Sequence, residues 1–391
     1  MVDFLLNSPF LYIFSAVMLA FFTTHATIPA VIKVAREKHL LEEPNDRSSH
    51  SQKTPRLGGI AIFASLAIVS LLVTHLYPAP VGPSYLVLPP LIILFFIGLK
   101  DDILVIDPYK KLAAQLIAAG IVVACADLRI GNLFGLFGIY ELPYLISFLL
   151  TIFIFVVVIN AYNLIDGIDG LAGSLGVVAA LAFGTYFYLV GTGWAVVLSA
   201  TLVGSLLSFL RFNYSEESKV FMGDSGSLIV GFVLAILAVT FIQINETPNA
   251  YHVYNAPTIA IMMMAIPLFD ALRVFSQRIL KGRSPFRADR NHIHHFMVDN
   301  GFSHQRTSLL LTALSLIMIG VSFFLLTQAS VAQSFAELMG AFLIYSFVLR
   351  RSVVVRGSSA MVVPPSSTRP ARPLPRRSSQ SIKLPVEIEV D

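Results

Sequence analysis

Apolar stretches long enough, or nearly long enough, to cross a hydrocarbon core follow one another along almost the whole chain, and they decide what it can fold into. A bilayer core takes about 20 apolar residues as helix, and every backbone polar group there must be satisfied within the span. Eleven runs fit: Phe10–Ile32, Leu57–Tyr77, Tyr85–Leu99, Leu112–Ala126, Leu142–Ile159, Leu171–Val190, Trp194–Leu210, Leu228–Gln243, Pro257–Leu272, Ser308–Thr327 and Val331–Leu349. Only Gly191, Thr192 and Gly193 separate the sixth from the seventh, a tight turn. Pro89-Pro90 in the third run and Pro257 and Pro267 in the ninth predict kinked or broken helices. The expected fold class is all-α, a polytopic integral membrane protein of about eleven transmembrane helices. Only 13% of the residues are charged and 56% are hydrophobic, against about 25% charged in soluble domains. A soluble globule of this size could not hide that apolar surface.

Charge orients the spans. With the N-terminus outside, the inner segments are Lys33–Arg56, Lys100–Lys111, Asn160–Gly170, Arg211–Ser227, Arg273–Thr307 and the stretch from Arg350. They hold every one of the 27 Lys and Arg residues except Arg129, the asymmetry expected of cytoplasmic loops. The reading is therefore eleven crossings, N-terminus outside and C-terminus cytoplasmic; ten crossings would scatter the charges. No basic segment precedes the first run, so it is expected to be a retained span and not a cleaved signal peptide. The net charge of +4 reads as orientation and contact with membrane lipids, not as nucleic-acid binding. Cys125, the single cysteine, can form no internal disulfide. Residues 1–350 read as one transmembrane domain. Residues 351–391, rich in Ser, Pro and Arg and lacking apolar periodicity, read as a disordered basic cytoplasmic tail.

Ionisable residues at the edge of a bilayer are costly and usually have a task, and on the inner side they gather in four clusters. Lys100-Asp101-Asp102 ends the third run, followed by Asp107, Lys110 and Lys111. Adjacent carboxylates repel unless a cation relieves them, although a solvated helix end is the bland reading. Asn160-Ala-Tyr-Asn163-Leu-Ile-Asp166-Gly-Ile-Asp169-Gly carries amides and carboxylates at a spacing of three, hence on one helical face or in one tight loop. It holds no Lys or Arg; a plain hinge is the alternative. Gly223-Asp224-Ser225-Gly226-Ser227 is a helix start, either a simple N-cap or a metal carboxylate beside N–H groups facing phosphate. Lys281 to His295 packs Arg283, Arg287 and Arg290 against His292, His294 and His295. Without thiolates this is a poor zinc site and a better anion site. Carboxylates that take Mg²⁺ through hard oxygens, opposed by Arg and His, are the parts of phosphoryl transfer.

These motifs resemble the polyprenyl-phosphate N-acetylhexosamine-1-phosphate transferase family. Within it they are most similar to the bacterial type that moves N-acetylglucosamine-1-phosphate from UDP-N-acetylglucosamine (UDP-GlcNAc) to undecaprenyl phosphate. The resemblance is carried in order by Gly58-Gly59, Gly98-Leu-Lys-Asp101-Asp102, Asn160 to Gly170, Phe221 to Ser227 and Gly282 to His295. Two departures stand out. The family's aspartate-rich motif often has a third Asp where this chain has Val105, so no role passes to Asp107. Three consecutive histidines in the related muramoyl-pentapeptide transferases are His292-Ile-His294-His295 here, which favours UDP-GlcNAc as donor.

The resemblance implies attack by the lipid phosphate on the β-phosphorus, release of UMP, and the first membrane step of a cell-envelope polysaccharide such as O antigen. It places the protein in the bacterial plasma membrane with its site on the cytoplasmic face. A phosphate monoester has a second pKa of about 6 and needs little base, so one-step displacement is favoured over a covalent carboxylate intermediate. The implied metal is Mg²⁺, with Mn²⁺ as the alternative, on Asn163, Asp224 and Asp102. Asp101 and Asp102 would position metal or acceptor, Asp166 and Asp169 would shape the nucleotide site, and His292, His294 and His295 would stabilise phosphate charge. Lys111, Asn160, Arg283, Arg287 and Arg290 would bind substrate. A homodimer stays open. The competing readings are another UDP-N-acetylhexosamine as donor, a secondary transporter, whose site would lie at the bilayer midplane, and a CDP-alcohol phosphotransferase, whose signature continues Asp-Gly to an Ala-Arg pair where Asp169-Gly170-Leu171-Ala172 here leads to Gly173.

Overall fold

A computed structural model describes residues 9–41, 54–76, 86–136, 138–282, 291–326, 330, 333–343 and 345–346. The tail assigned to 351–391 and the arginines at 283, 287 and 290 lie outside the described residues. The helices are α1 (Pro9–Glu37), α2 (Gly58–Leu76), α3 (Leu88–Leu104), α4 (Pro108–Cys125), α5 (Tyr144–Ile165), α6 (Leu171–Val190), α7 (Gly193–Asn213), α8 (Gly223–Ile244), α9 (Ala256–Met263), α10 (Ala265–Leu280), α11 (Ile293–Asp299) and α12 (His304–Leu326), with further helix at 333–343. Among the described residues, each apolar run is helical over most of its length. Seven described helices are long and apolar enough to cross a membrane, or eight if the bent pair α9–α10 is one span.

Several local expectations are corrected. The class is not purely helical: β1 (Asn132–Leu136) and β2 (Ile139–Glu141) form a small antiparallel hairpin between α4 and α5. Pro89-Pro90 introduces no kink, because α3 starts at Leu88 and the prolines sit in its first turn, where a missing N–H costs nothing. The ninth run does break: α9 and α10 meet at 87° around Met264, just before Pro267. Of the two placements open to Asn160 and Asn163, a helical face or a tight loop, the structure takes the helix, and α5 runs on to Ile165, past the expected end at Ile159.

Bonds between distant connections show which helix ends share a side. Asp102 at the end of α3 meets the start of α8, Lys111 in α4 reaches Asp224, and Asp169 before α6 pairs with Lys219 before α8. The residues before α2 run beside those before α8, with Phe221 N on Pro55 O (2.8 Å) and Gly58 N on Phe221 O (2.9 Å). At the opposite end Glu246, after α8, accepts from Gly131 N (2.6 Å) and Asn132 N (3.2 Å) of the hairpin. The first three polar clusters thus belong to one end of the bundle, and the packing of His294 against Gly167 brings the described histidines to it.

α8 is the central post, buried along almost its whole length. Helix packing in lipid depends on close van der Waals approach, which small residues permit. A Cβ at Gly59 would lie 2.2 Å from Gly226 N, and one at Gly98 would lie 2.6 Å from Ser225 Cα. These two glycines let α2 and α3 close onto the first turn of α8. Replacing Gly98 with Val should therefore cost about 1–3 kcal/mol, typical of overpacking. Thermal unfolding of the detergent-solubilised protein would show a lower midpoint and lost activity; an unchanged midpoint would contradict this packing.

Candidate active site

The first turn of a helix leaves its N–H groups without intrahelical partners, and in α8 those of Asp224 and Ser225 would be buried. Met222 at its N-cap supplies no side-chain bond. The cap comes from another helix. Asp102 Oδ1 accepts from Asp224 N (2.7 Å), while Oδ2 accepts from Ser225 N (3.0 Å) and Ser225 Oγ (2.7 Å). A carboxylate here is stabilised by these bonds and by the positive end of the helix dipole. Both Asp102 oxygens are thereby engaged in joining α3 to α8.

Asp224 is the hub. Its Oδ1 accepts from Asn163 Nδ2 (2.9 Å), which also donates to Ser227 Oγ (2.9 Å). The Lys111 ammonium pairs with Asp224 Oδ2 and, at 2.8 Å, with Asp101 Oδ2. Asp101 Oδ1 in turn takes Ile106 N at 2.6 Å and holds the α3–α4 turn. Asp107, to which the sequence assigned no role, is the N-cap of α4 and accepts from Tyr109 N (2.8 Å). Asn160 is turned to Gln115: its Nδ2 donates to Gln115 Oε1 (2.7 Å) and Val156 O (2.8 Å).

Asp166 caps the end of α5. Burial pushes its carboxyl up to about 7 against the pull of Arg56, and the charges of Asp224, Asp102 and Asp169 push the same way. These carboxylates repel one another, and added positive charge would relieve them. Asp169 has partners that its own segment lacks: Lys219 at 2.7 Å and His304 at 3.0 Å.

The histidine segment meets this loop. His294 is buried, and neither ring nitrogen has a hydrogen-bond partner among the described residues. A Cβ on Gly167 would stand 2.1 Å from His294 Nε2, so only glycine lets the ring rest there. Burial and the adjacent His295 hold the His294 imidazole well below its usual range, leaving it neutral near pH 7. Ring centroids lie 5.7 Å apart for His292–His294 and 4.3 Å apart for His294–His295. His292 Nδ1 bonds Asp270 Oδ2 at 2.7 Å.

The structure thus brings Asp101, Asp102, Lys111, Asn163 and Asp224 into one cluster, with Asp166, Asp169 and His294 beside it. Sequence reading overlooked Asp270, Lys219, His304 and Gln115. Asp270 carried a signal, an acid inside an apolar run; the others are ordinary polar residues whose importance arises only from contacts across the fold.

A divalent cation fits these residues. No group of three or more His, Cys, Asp or Glu among the described residues is arranged to hold a metal, but Mg²⁺ commonly takes one or two carboxylates and completes its shell with substrate phosphates and water. Asp224 and Asp101 already share a cation, the Lys111 ammonium, and the Asn163 amide adds a further hard oxygen.

Comparison with known proteins gives a consistent result. Residues 84–242 match the model of glycosyl transferase family 4. The chain is 31% identical over 335 residues to the undecaprenyl-phosphate alpha-N-acetylglucosaminyl 1-phosphate transferase of Haemophilus influenzae, covering 84% of this chain and 91% of that one. The proteins of the same name from Yersinia pestis and Salmonella typhi are 31% and 30% identical, over 82% and 74% of this chain and 87% and 77% of theirs.

Removing the cap should separate scaffold from chemistry. Asp102→Ala strands two buried N–H groups, at about 1–3 kcal/mol each, so its melting midpoint should fall well below that of wild type. Asp224→Asn, which leaves the cap intact, should melt close to wild type. Equal midpoints for Asp102→Ala and wild type would contradict the capping role.

Proposed function

The chain belongs to glycosyl transferase family 4, with the undecaprenyl-phosphate N-acetylglucosaminyl 1-phosphate transferases, and from that premise we propose how it works. It transfers N-acetylglucosamine-1-phosphate from UDP-GlcNAc to undecaprenyl phosphate and releases UMP. An oxygen of the lipid phosphate forms a bond to the β-phosphorus as the bond from that phosphorus to the bridging oxygen breaks, and the electron pair leaves on UMP. The observation that carries this is the Asp224 hub, where carboxylates, an amide and an ammonium from four helices converge at one end of a lipid-facing bundle. Phosphoryl transfer asks for positioning and charge neutralisation more than covalent chemistry, and the cluster is equipped for that.

Asp224, Asn163 and Asp101 would hold Mg²⁺, or Mn²⁺ in its place, which when bound neutralises diphosphate charge and polarises the phosphoryl oxygens. Asp102 keeps the N-terminus of α8 in register beneath them. Displaced from its carboxylates, the Lys111 ammonium can meet the acceptor phosphate; a point charge on a flexible stem suits that exchange. Asp166 and Asp169 border the nucleotide, with Asp169 fixed by Lys219 and His304. Neutral His294, whose nitrogens are otherwise unpartnered, can donate a hydrogen bond to a phosphate oxygen, and His292 and His295 flank it. Arg283, Arg287 and Arg290 would add positive charge for the substrate phosphates. The Lys and Arg distribution supports the cytoplasmic face of the bacterial plasma membrane for this end.

A transporter would place its ionisable site at the midplane, whereas these groups sit at helix ends. Membranes containing the protein should convert labelled UDP-GlcNAc and undecaprenyl phosphate into lipid-linked label with equimolar UMP. Asp224→Asn should abolish both products while inserting normally. Near-normal turnover by purified Asp224→Asn, or uptake of label without UMP, would refute the assignment.

A further inference from the structure

Asp270 lies in the second half of a broken apolar helix and is 1% exposed, yet nothing in the transfer described above uses it. An unpaired buried carboxylate is costly by several kcal/mol, so such a residue is explained by what it bonds. Both of its oxygens face the histidine segment. Oδ2 meets Nδ1 of His292 at 2.7 Å; Oδ1 accepts from Ile293 N at 2.9 Å and from Arg273 Nη2 at 2.9 Å. Tyr345 Oη stands 3.4 Å from the same Oδ1. Arg273, one helical turn along, also donates to the Asn291 carbonyl. One carboxylate and its arginine therefore fix residues 291 to 293 from the preceding helix.

The hold extends to the active site through the rings. His292 stacks on His294 at an interplanar angle of 12°, and His294 rests on Gly167 between Asp166 and Asp169. With Nδ1 committed to Asp270, Nε2 is the nitrogen His292 has left for a ligand. A carboxylate behind an imidazole fixes ring orientation and proton placement, which is how outer partners tune a histidine that works on a substrate. The right angle at Met264 has a use in this arrangement, since it brings the first turns of α10 to the histidine segment.

We infer that Asp270 is a positioning residue for the transfer, orienting the His292–His294 pair over the Asp166–Asp169 loop through its bonds to His292 and the Ile293 amide. The inference rests on the transferase reading and adds to it a residue that touches no substrate. Were Asp270 only a structural anchor, its loss would lower stability and activity together and would ignore the state of His292.

Asp270→Asn keeps the size and a carbonyl oxygen for Ile293 N but gives up the charged acceptor for His292. Its kcat for UMP release should fall about 10- to 100-fold, with the donor KM and the melting midpoint close to wild type. His292→Asn, whose amide can still reach Asp270 but which lacks Nε2, should lose kcat to a similar degree, and adding Asp270→Asn to it should cost little more. Wild-type kcat in Asp270→Asn, a loss confined to KM, or fully additive losses would overturn the inference. If Asp270→Asn fails to insert, His292→Asn carries the test: reduced kcat at an unchanged midpoint supports the inference, and wild-type kcat overturns it. UMP release by the wild-type protein in the same membranes tests the transferase reading separately.

Discussion

The bond between the Asp102 carboxylate and the first turn of α8 is the contact on which the rest of the site depends. It satisfies N–H groups that would otherwise be buried without partners, fixes the end of α3 against the start of α8, and presents Asp224 to Lys111 and Asn163. The neighbouring glycines at 59 and 98 allow the approach. Lipid gives helices little hydrophobic reason to associate, so close packing and polar contacts of this kind decide which helix ends meet. Here they bring together the ends that carry charge.

Much of this was legible in the sequence, for identifiable reasons. Lipid forces long apolar runs, so among the described residues each run is mostly helix, and Leu171–Val190 is helix to the residue. The acidic and histidine clusters stood out because ionisable groups are rare in such a chain. What escaped has equally physical causes. The fifth apolar run ends at Ile159 in the sequence because polarity sets in at Asn160, but in the structure the side chains of Asn160 and Asn163 bond Gln115 and Asp224 and the helix continues to Ile165. Periodicity gives no sign of the hairpin at 132–141, which Glu246 holds from more than a hundred residues away. Asp169 seemed to lack a cation because only neighbours in sequence were in view, whereas Lys219 is 50 residues on and His304 is 135.

Two kinds of acid emerge. Asp102 and Asp270 are spent on the protein itself, each bonding a backbone N–H on another helix with its carboxylate oxygens. Asp224 faces the charge of both Asp101 and Asp166, and Lys111 bridges Asp101 and Asp224. On the proposed reading, that excess of negative charge is what a divalent cation would offset. Neutral His294, against Gly167 in the Asp166–Asp169 loop, is the uncharged group beside these acids.

The central claim is that the diphosphate is bound, with its cation, at the start of α8. Anomalous scattering from crystals grown with Mn²⁺ and UDP-GlcNAc tests it most directly. The account predicts one strong peak beside the Asp224 carboxylate, in contact with the diphosphate, and the Lys111 ammonium moved off Asp224. Donor bound elsewhere on the bundle, or bound there with no metal near Asp224, would contradict it.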